Sequence, residues 1–157
     1  QDKFTLQGQN RRSLSDLTIN LGSGSSEGIF ISQTAAMNLT IDARSAIGTG
    51  ITLGGVNIYG LAAIDFGQDS GADWLAMQSG SELYRLNAIM GPGNDRVNLR
   101  TTLVHAAGLS LGGGDDAFDL FDTKSTILSG VIDGDSGRDT ARLSGVRVGA
   151  KLKNFER

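Results

Sequence analysis

Four aspartates recur down this chain, each two residues behind a glycine: Gly71-Ala-Asp73, Gly93-Asn-Asp95, Gly114-Asp-Asp116 and Gly137-Arg-Asp139. Their spacings are 22, 21 and 23 residues. Carboxylates placed this way can do two kinds of chemistry. They can accept hydrogen bonds from turn N–H groups in Asx turns, or they can bind calcium, which takes carboxylate and carbonyl oxygens in flexible geometry. A stacked row of them must also offset its own charge. Two unit charges ~4.8 Å apart in an effective dielectric of ~20 repel by roughly 3 kcal/mol. Turn amides are one source of relief; Arg96 and Arg138, each next to a column member, are another. Asp73, Asp95, Asp116 and Asp139 are therefore candidate metal ligands, and turn-building is their plainer role.

Few other residues offer chemistry. His105 is the single histidine, and no partner base or nucleophile is marked for it; it reads as a turn or surface residue. Asp115 and Asp116 are adjacent, so on a strand they would point to opposite faces and make a poor acid/base couple. Cysteine is absent, which removes thiolate metal sites and cysteine nucleophiles. There is no nucleophile elbow, phosphate loop or zinc spacing. The chain reads as a non-enzyme without catalytic or cofactor-binding residues. Trp74, Tyr59 and Tyr84 could meet a sugar or a protein from an outer face, although packing under a neighbouring turn is the expectation for Trp74.

The elements that position the acids follow from the same interval. Two residues after the column stand Ile29, Ile51, Leu75, Val97, Phe118 and Ala141; four after it stand Ile31, Leu53, Met77, Leu99, Leu120 and Leu143. Stepping back from Asp73, the column continues weakly through Thr49 and Glu27. A second apolar column reads Ile19, Ile41, Ile64, Ile89, Leu111, Ile132 and Phe155. Between columns apolar and polar residues alternate, as in Leu17-Thr-Ile19-Asn-Leu21 and Met37-Asn-Leu39-Thr-Ile41, which is the strand signal. Met37, Met77 and Met90 fit interior ladders. Only Ser13-Leu-Ser-Asp16 allows a short helical turn. A fixed period in this range means a stacked repeat. The fold expected is all-β: a right-handed parallel β-helix (solenoid) of about six to seven coils, 21–25 residues each, forming a rod ~30 Å long at ~4.8 Å per coil. The 23 glycines in 157 residues suit one or more tight turns per coil.

Net charge is −3. Seven acids lie in residues 115–139, and six basic residues in residues 138–157. Basic side chains do not interleave with aromatics, so nucleic acid is not an expected partner. No run of about 18 apolar residues is present, so no direct membrane insertion of this segment is expected. Gln1 is not a natural start and Phe155-Glu-Arg157 opens a further coil. Residues 1–157 are thus expected to be a single segment excised from a longer protein.

Two stretches, Met90-Gly-Pro-Gly-Asn-Asp-Arg-Val-Asn98 and Leu111-Gly-Gly-Gly-Asp-Asp-Ala-Phe-Asp119, resemble the calcium-binding nonapeptide of RTX toxins. Those repeats come in tandem, whereas these lie a full coil apart. The phrase Ser129-Gly-Val-Ile-Asp-Gly-Asp-Ser-Gly-Arg-Asp-Thr-Ala-Arg-Leu-Ser-Gly145, followed by Leu152-Lys-Asn-Phe-Glu156, is similar to the passenger stems of bacterial autotransporters. That resemblance implies a secreted or cell-surface protein of a Gram-negative bacterium, exported through the periplasm and outer membrane. It implies a virulence or adhesin role, with a host-cell surface protein or glycan and the neighbouring coils of the parent chain as partners, and an autochaperone stem that assists export. The alternatives are a calcium-stabilised RTX-like surface module and a polysaccharide-binding or polysaccharide-processing β-helix. Near-constant coil length, with no long loops to wall a groove, speaks against processing.

Overall fold

The computed structural model describes residues 3–8, 13–23 and 28–156. Among these the chain forms fifteen β-strands and no helix. Each coil contributes one short and one long strand to two parallel sheets. The short strands are β1 (Lys3–Gln7), β3 (Gly28–Ser32), β5 (Gly50–Gly54), β7 (Trp74–Gln78), β9 (Arg96–Arg100), β11 (Ala117–Phe121) and β13 (Thr140–Ser144), paired in that order. The long strands are β2 (Ser13–Asn20), β4 (Ala35–Asp42), β6 (Asn57–Asp65), β8 (Ser81–Ile89), β10 (Thr102–Ser110) and β12 (Thr126–Asp133). β12 then pairs with both β14 (Arg147–Val148) and β15 (Lys151–Lys153). The result is a β-solenoid of about six turns. Ser13–Asp16, read as a helical turn, is part of β2: its alternation matches β4 rung for rung.

The register explains why the columns exist. Ile29, Ile51, Leu75, Val97 and Phe118 are successive direct partners, as are Ile31, Leu53, Met77, Leu99 and Leu120. All ten are buried. A single coil is too thin to bury its own inner face, and stacking removes each of these side chains from water at a gain of roughly 1.5–3 kcal/mol. Leu143 holds the last rung of its ladder and stays exposed, because no described strand lies beyond β13.

The second column differs from its sequence reading. The ladder runs Ile19, Ile41, Ile64, Ala88, Leu109, Ile132, Leu152. Ile89 faces solvent, Leu111 belongs to the next interior row with Met90 and Phe66, and Phe155 lies beyond it. The cause is a bulge in β6, which carries one residue more than β4 or β8 between Ile58 and Leu61. Counting by apolar type stepped over the small Ala88 to the larger Ile89. Met77 and Met90 are interior, but Met37 is outward and exposed. It occupies the first of two consecutive outward positions, Met37-Asn38, where the long strand bends between buried Ala36 and Leu39.

From β3 onward, the corner from short to long strand turns through one left-handed residue, or two in the Ser79-Gly80 coil. Gly55 and Gly145 take that position in two coils, while Gln33, Ser79, Thr101 and Asp122 adopt positive φ in others. The corner from long strand back to short strand carries the acids.

Candidate functional site

The four aspartates stack as the interval predicts, but each bonds to the preceding coil and not to its own turn. The carboxylate Oδ1 of Asp73 accepts the Thr49 N–H at 2.5 Å, that of Asp95 the Asp73 N–H at 2.7 Å, that of Asp116 the Asp95 N–H at 2.7 Å, and that of Asp139 the Asp116 N–H at 2.9 Å. One column thereby ties five coils together through side chains. Glu27, read as an upstream member, lies outside the described residues. The opposite end is closed differently. Glu156 pairs with Thr140, so Phe155 takes the position one rung past Asp139.

Glycine makes this approach feasible. Gly71, Gly93, Gly114 and Gly137 stack on one another, and a Cβ on any of the last three would collide with the carbonyl oxygen of the glycine one coil earlier. Gly93, Gly114 and Gly137 also hold positive φ, which glycine adopts without a steric cost. Beside them a second ladder runs at the surface: Asn94 Oδ1 accepts the Asp115 N–H at 2.9 Å and Asp115 Oδ1 accepts the Arg138 N–H at 3.1 Å. Asp115 and Asp116 thus divide the work, one outside and one inside.

The column is dry. The four aspartates are at most 2% exposed, and each Oδ2 is buried without a hydrogen-bond partner. Thr49 Oγ1, at the same position one coil earlier, is likewise buried and unpartnered. Burial pushes the Asp73 carboxyl up to about 6, against the opposing Thr49 N–H, with Asp69 adding repulsion. Burial pushes Asp95 up to about 7, helped by Asp73, Asp116 and Asp69 and opposed by the Asp73 N–H. Asp116 is pushed up to about 6 by burial, and Asp139 is raised for the same cause, with Asp115 and Asp135 acting on both. The neighbouring arginines do not relieve the column. Arg96 turns away to the buried Asp119, with Nη2 to Oδ2 at 2.5 Å, and Arg138 lies 3.5 Å from Glu156. Among the described residues no three acidic or imidazole groups converge as a metal cage. Oδ1 is spent on an amide in every coil, so a calcium ion would have to be held by Oδ2 and backbone carbonyls.

The outer faces place the remaining candidates. Met37, Tyr59, Tyr84, His105 and Leu128 follow directly on the stacked residues Ala36, Ile58, Leu83, Val104 and Ile127, and so form one line along the rod at the bend of the long sheet. Tyr59 and Tyr84 are about half exposed (50% and 48%). His105 is on strand β10, not in a turn. It stacks on Tyr84 at 4.4 Å between ring centroids, and its Nε2 lies 3.0 Å from Glu82 Oε1. The partner carboxylate is 23 residues away in sequence, one coil back, a separation the period predicts. Trp74 stands on the outer face of the short sheet, 47% exposed; no neighbouring turn covers it, because Gly50 beneath it has no side chain.

Compared with known proteins, the chain matches no family model, no curated protein and no solved structure.

Proposed function

We propose that this chain is a non-catalytic β-helical segment of an exported, surface-displayed bacterial protein, autotransporter-like, acting as an adhesive scaffold and as a stem whose folding supports secretion. One observation carries the reading. Every short strand, and every long strand up to β12, pairs only with the equivalent strands one coil before and one coil after, through both sheets. Such a stack folds coil upon coil, each templating the next. That suits a chain that emerges from one end and gains free energy as it emerges. The sequence phrase from Ser129 to Gly145 and the Leu152–Glu156 segment support the autotransporter likeness. The exposed line Met37, Tyr59, Tyr84 and Leu128 gives the rod a face for attachment to a host-cell surface protein or glycan.

The test is Leu120→Asp in the full-length parent. Leu120 is fully buried between Leu99 and Leu143, so a carboxylate there breaks the ladder. Secretion of the parent is expected to stall, with the intracellular passenger sensitive to protease. Normal secretion of a protease-resistant rod would overturn the stem role. A second reading, binding of polysaccharide, is favoured by the outward aromatics and by a cavity at the opposite corner.

A further inference from the structure

The corner between short and long strands has a gap in one coil. Outward positions at the ends of the short strands read Gln7, Ser32, Gly54, Gln78 in direct register. The next residues, at the turn itself, include Gln33, Gly55 and Ser79. One coil therefore presents Gly54-Gly55, with no side chains, between coils that present Ser32-Gln33 and Gln78-Ser79. The flanking coils stand two rungs apart, roughly 10 Å at parallel-sheet spacing. The gap is a surface cavity of about 350 Å³. It adjoins a second of about 420 Å³ that shares Gln33, Gly55 and Ser79.

Its lining has a distinct chemistry. Among the described residues no charged side chain lines either cavity. The groups present are carboxamides, hydroxyls and backbone, with Phe30 as the single aromatic; Ser32 is more than nine-tenths buried in the wall. A carboxamide offers two donors and an acceptor, the complement of a vicinal diol, whose hydroxyls each donate and accept. An aromatic ring beside such groups accepts the apolar face of a sugar ring. A protein partner would instead seek a large apolar anchor, which this cavity does not offer, and an acidic glycan would seek cations.

We propose that the Gly54-Gly55 notch is a subsite for a neutral sugar residue, hydrogen-bonded by the Gln33 and Gln78 carboxamides beside Phe30. The inference rests on the polysaccharide-binding reading above and gives it a ligand class. It also separates the ligand site from the Tyr59–Tyr84 line, which lies on the long sheet.

The test uses the 157-residue chain on an array of neutral gluco-, galacto- and manno-oligosaccharides beside sialylated and sulfated ones, followed by calorimetric titration with the best neutral probe. Gly54→Gln fills the notch. A Cβ at Gly54 meets only ordinary contacts, 3.8 Å to Phe30 Cζ and 3.9 Å to Ser32 Cβ. Gln7 and Gln78 already stand in the same row, so the variant is expected to melt with the native protein. Its affinity should fall at least tenfold, as should that of Gln78→Ala. Binding undiminished in a folded Gly54→Gln variant, binding confined to acidic glycans, or no glycan binding at all would overturn the proposal. Failure of the polysaccharide-binding reading has a separate signature: no glycan binds the chain at all, whereas glycan binding that survives Gly54→Gln overturns the notch alone.

Discussion

Asp95→Asn should weaken the pH response of the rod. Asp95 is 2% exposed, its Oδ1 accepts the Asp73 N–H, and its Oδ2 meets no partner. Its carboxyl is pushed from 3.8 to about 7. A carboxyl raised on folding favours the protonated native state. Its contribution is therefore fully present below about pH 4 and is lost as pH rises through about 7. A rise of that size corresponds to roughly 4 kcal/mol, a large share of the roughly 5–15 kcal/mol typical of a whole domain. Asp73 and Asp116, each raised to about 6, act in the same direction at slightly lower pH. Opposing groups act elsewhere on the scale: Asp42, held down to about 2 chiefly by its hydrogen bond to the Arg44 side chain, contributes stability that is lost only in strong acid. Native stability is thus expected to fall between about pH 4 and 7. The carboxamide of the Asp95→Asn variant keeps the acceptor for the Asp73 N–H but cannot ionise, and it places an unpartnered NH2 in the Oδ2 slot at a cost of about 1–3 kcal/mol. The variant should be less stable than native at about pH 3.5 and more stable at about pH 8, by about 1–3 kcal/mol in each direction. Urea denaturation at several pH values across that interval reads this directly. Parallel curves for the two proteins would refute a buried, ionisable Asp95.

Gly114→Ala should cost at least about 3 kcal/mol, the sum of a backbone collision with the Gly93 carbonyl and a residue forced to positive φ; thermal melting of a chain that unfolds no earlier than native would contradict the glycine ladder. Calcium tests the alternative use of the four orphan oxygens: if the column holds the ion, millimolar calcium should raise the melting temperature at about pH 8 and a chelator should abolish the gain, whereas an unchanged melt rules that module out. Arg96→Ala should destabilise by about 3 kcal/mol or more in denaturant titrations, because it leaves the Asp119 carboxylate buried and unpaired; Arg96→Ala together with Asp119→Asn should recover most of the loss.

The sequence was legible where stacking permits no choice. An interior column admits only side chains that pack on their own kind one rung away, so the period of 21 to 25 residues exposed both ladders of the short sheet and the aspartate column. It was less legible where residue type and direction part company. Ile89 and Met37 are apolar yet outward, since a bulge in β6 and a bend in β4 turn them to solvent, and local alternation does not record either event. Trp74 is bare because the residue one coil earlier is glycine, a fact that becomes visible only once the register is known. The partners of Arg96 and His105 lie 23 residues away, at the coil period, and so belong to the same kind of signal as the ladders.

Stacking by period also explains why the acids form a column at all. The spacing that brings Val97 onto Phe118 necessarily brings Asp95 onto Asp116, two residues earlier in each coil. The turn amide of each coil needs an acceptor in the next, since its own strand has ended, and an unpaired buried N–H is costly. Asparagine or threonine could serve the same amide without ionising, and Thr49 does hold the position one coil earlier. That the chain keeps aspartate in four consecutive coils and ends the column on Phe155 leaves a set of orphan oxygens confined to the coils between. The titration of those oxygens distinguishes the column from an ordinary turn, and for that reason the pH response of Asp95→Asn, and not the mere stability of the rod, decides what the column is.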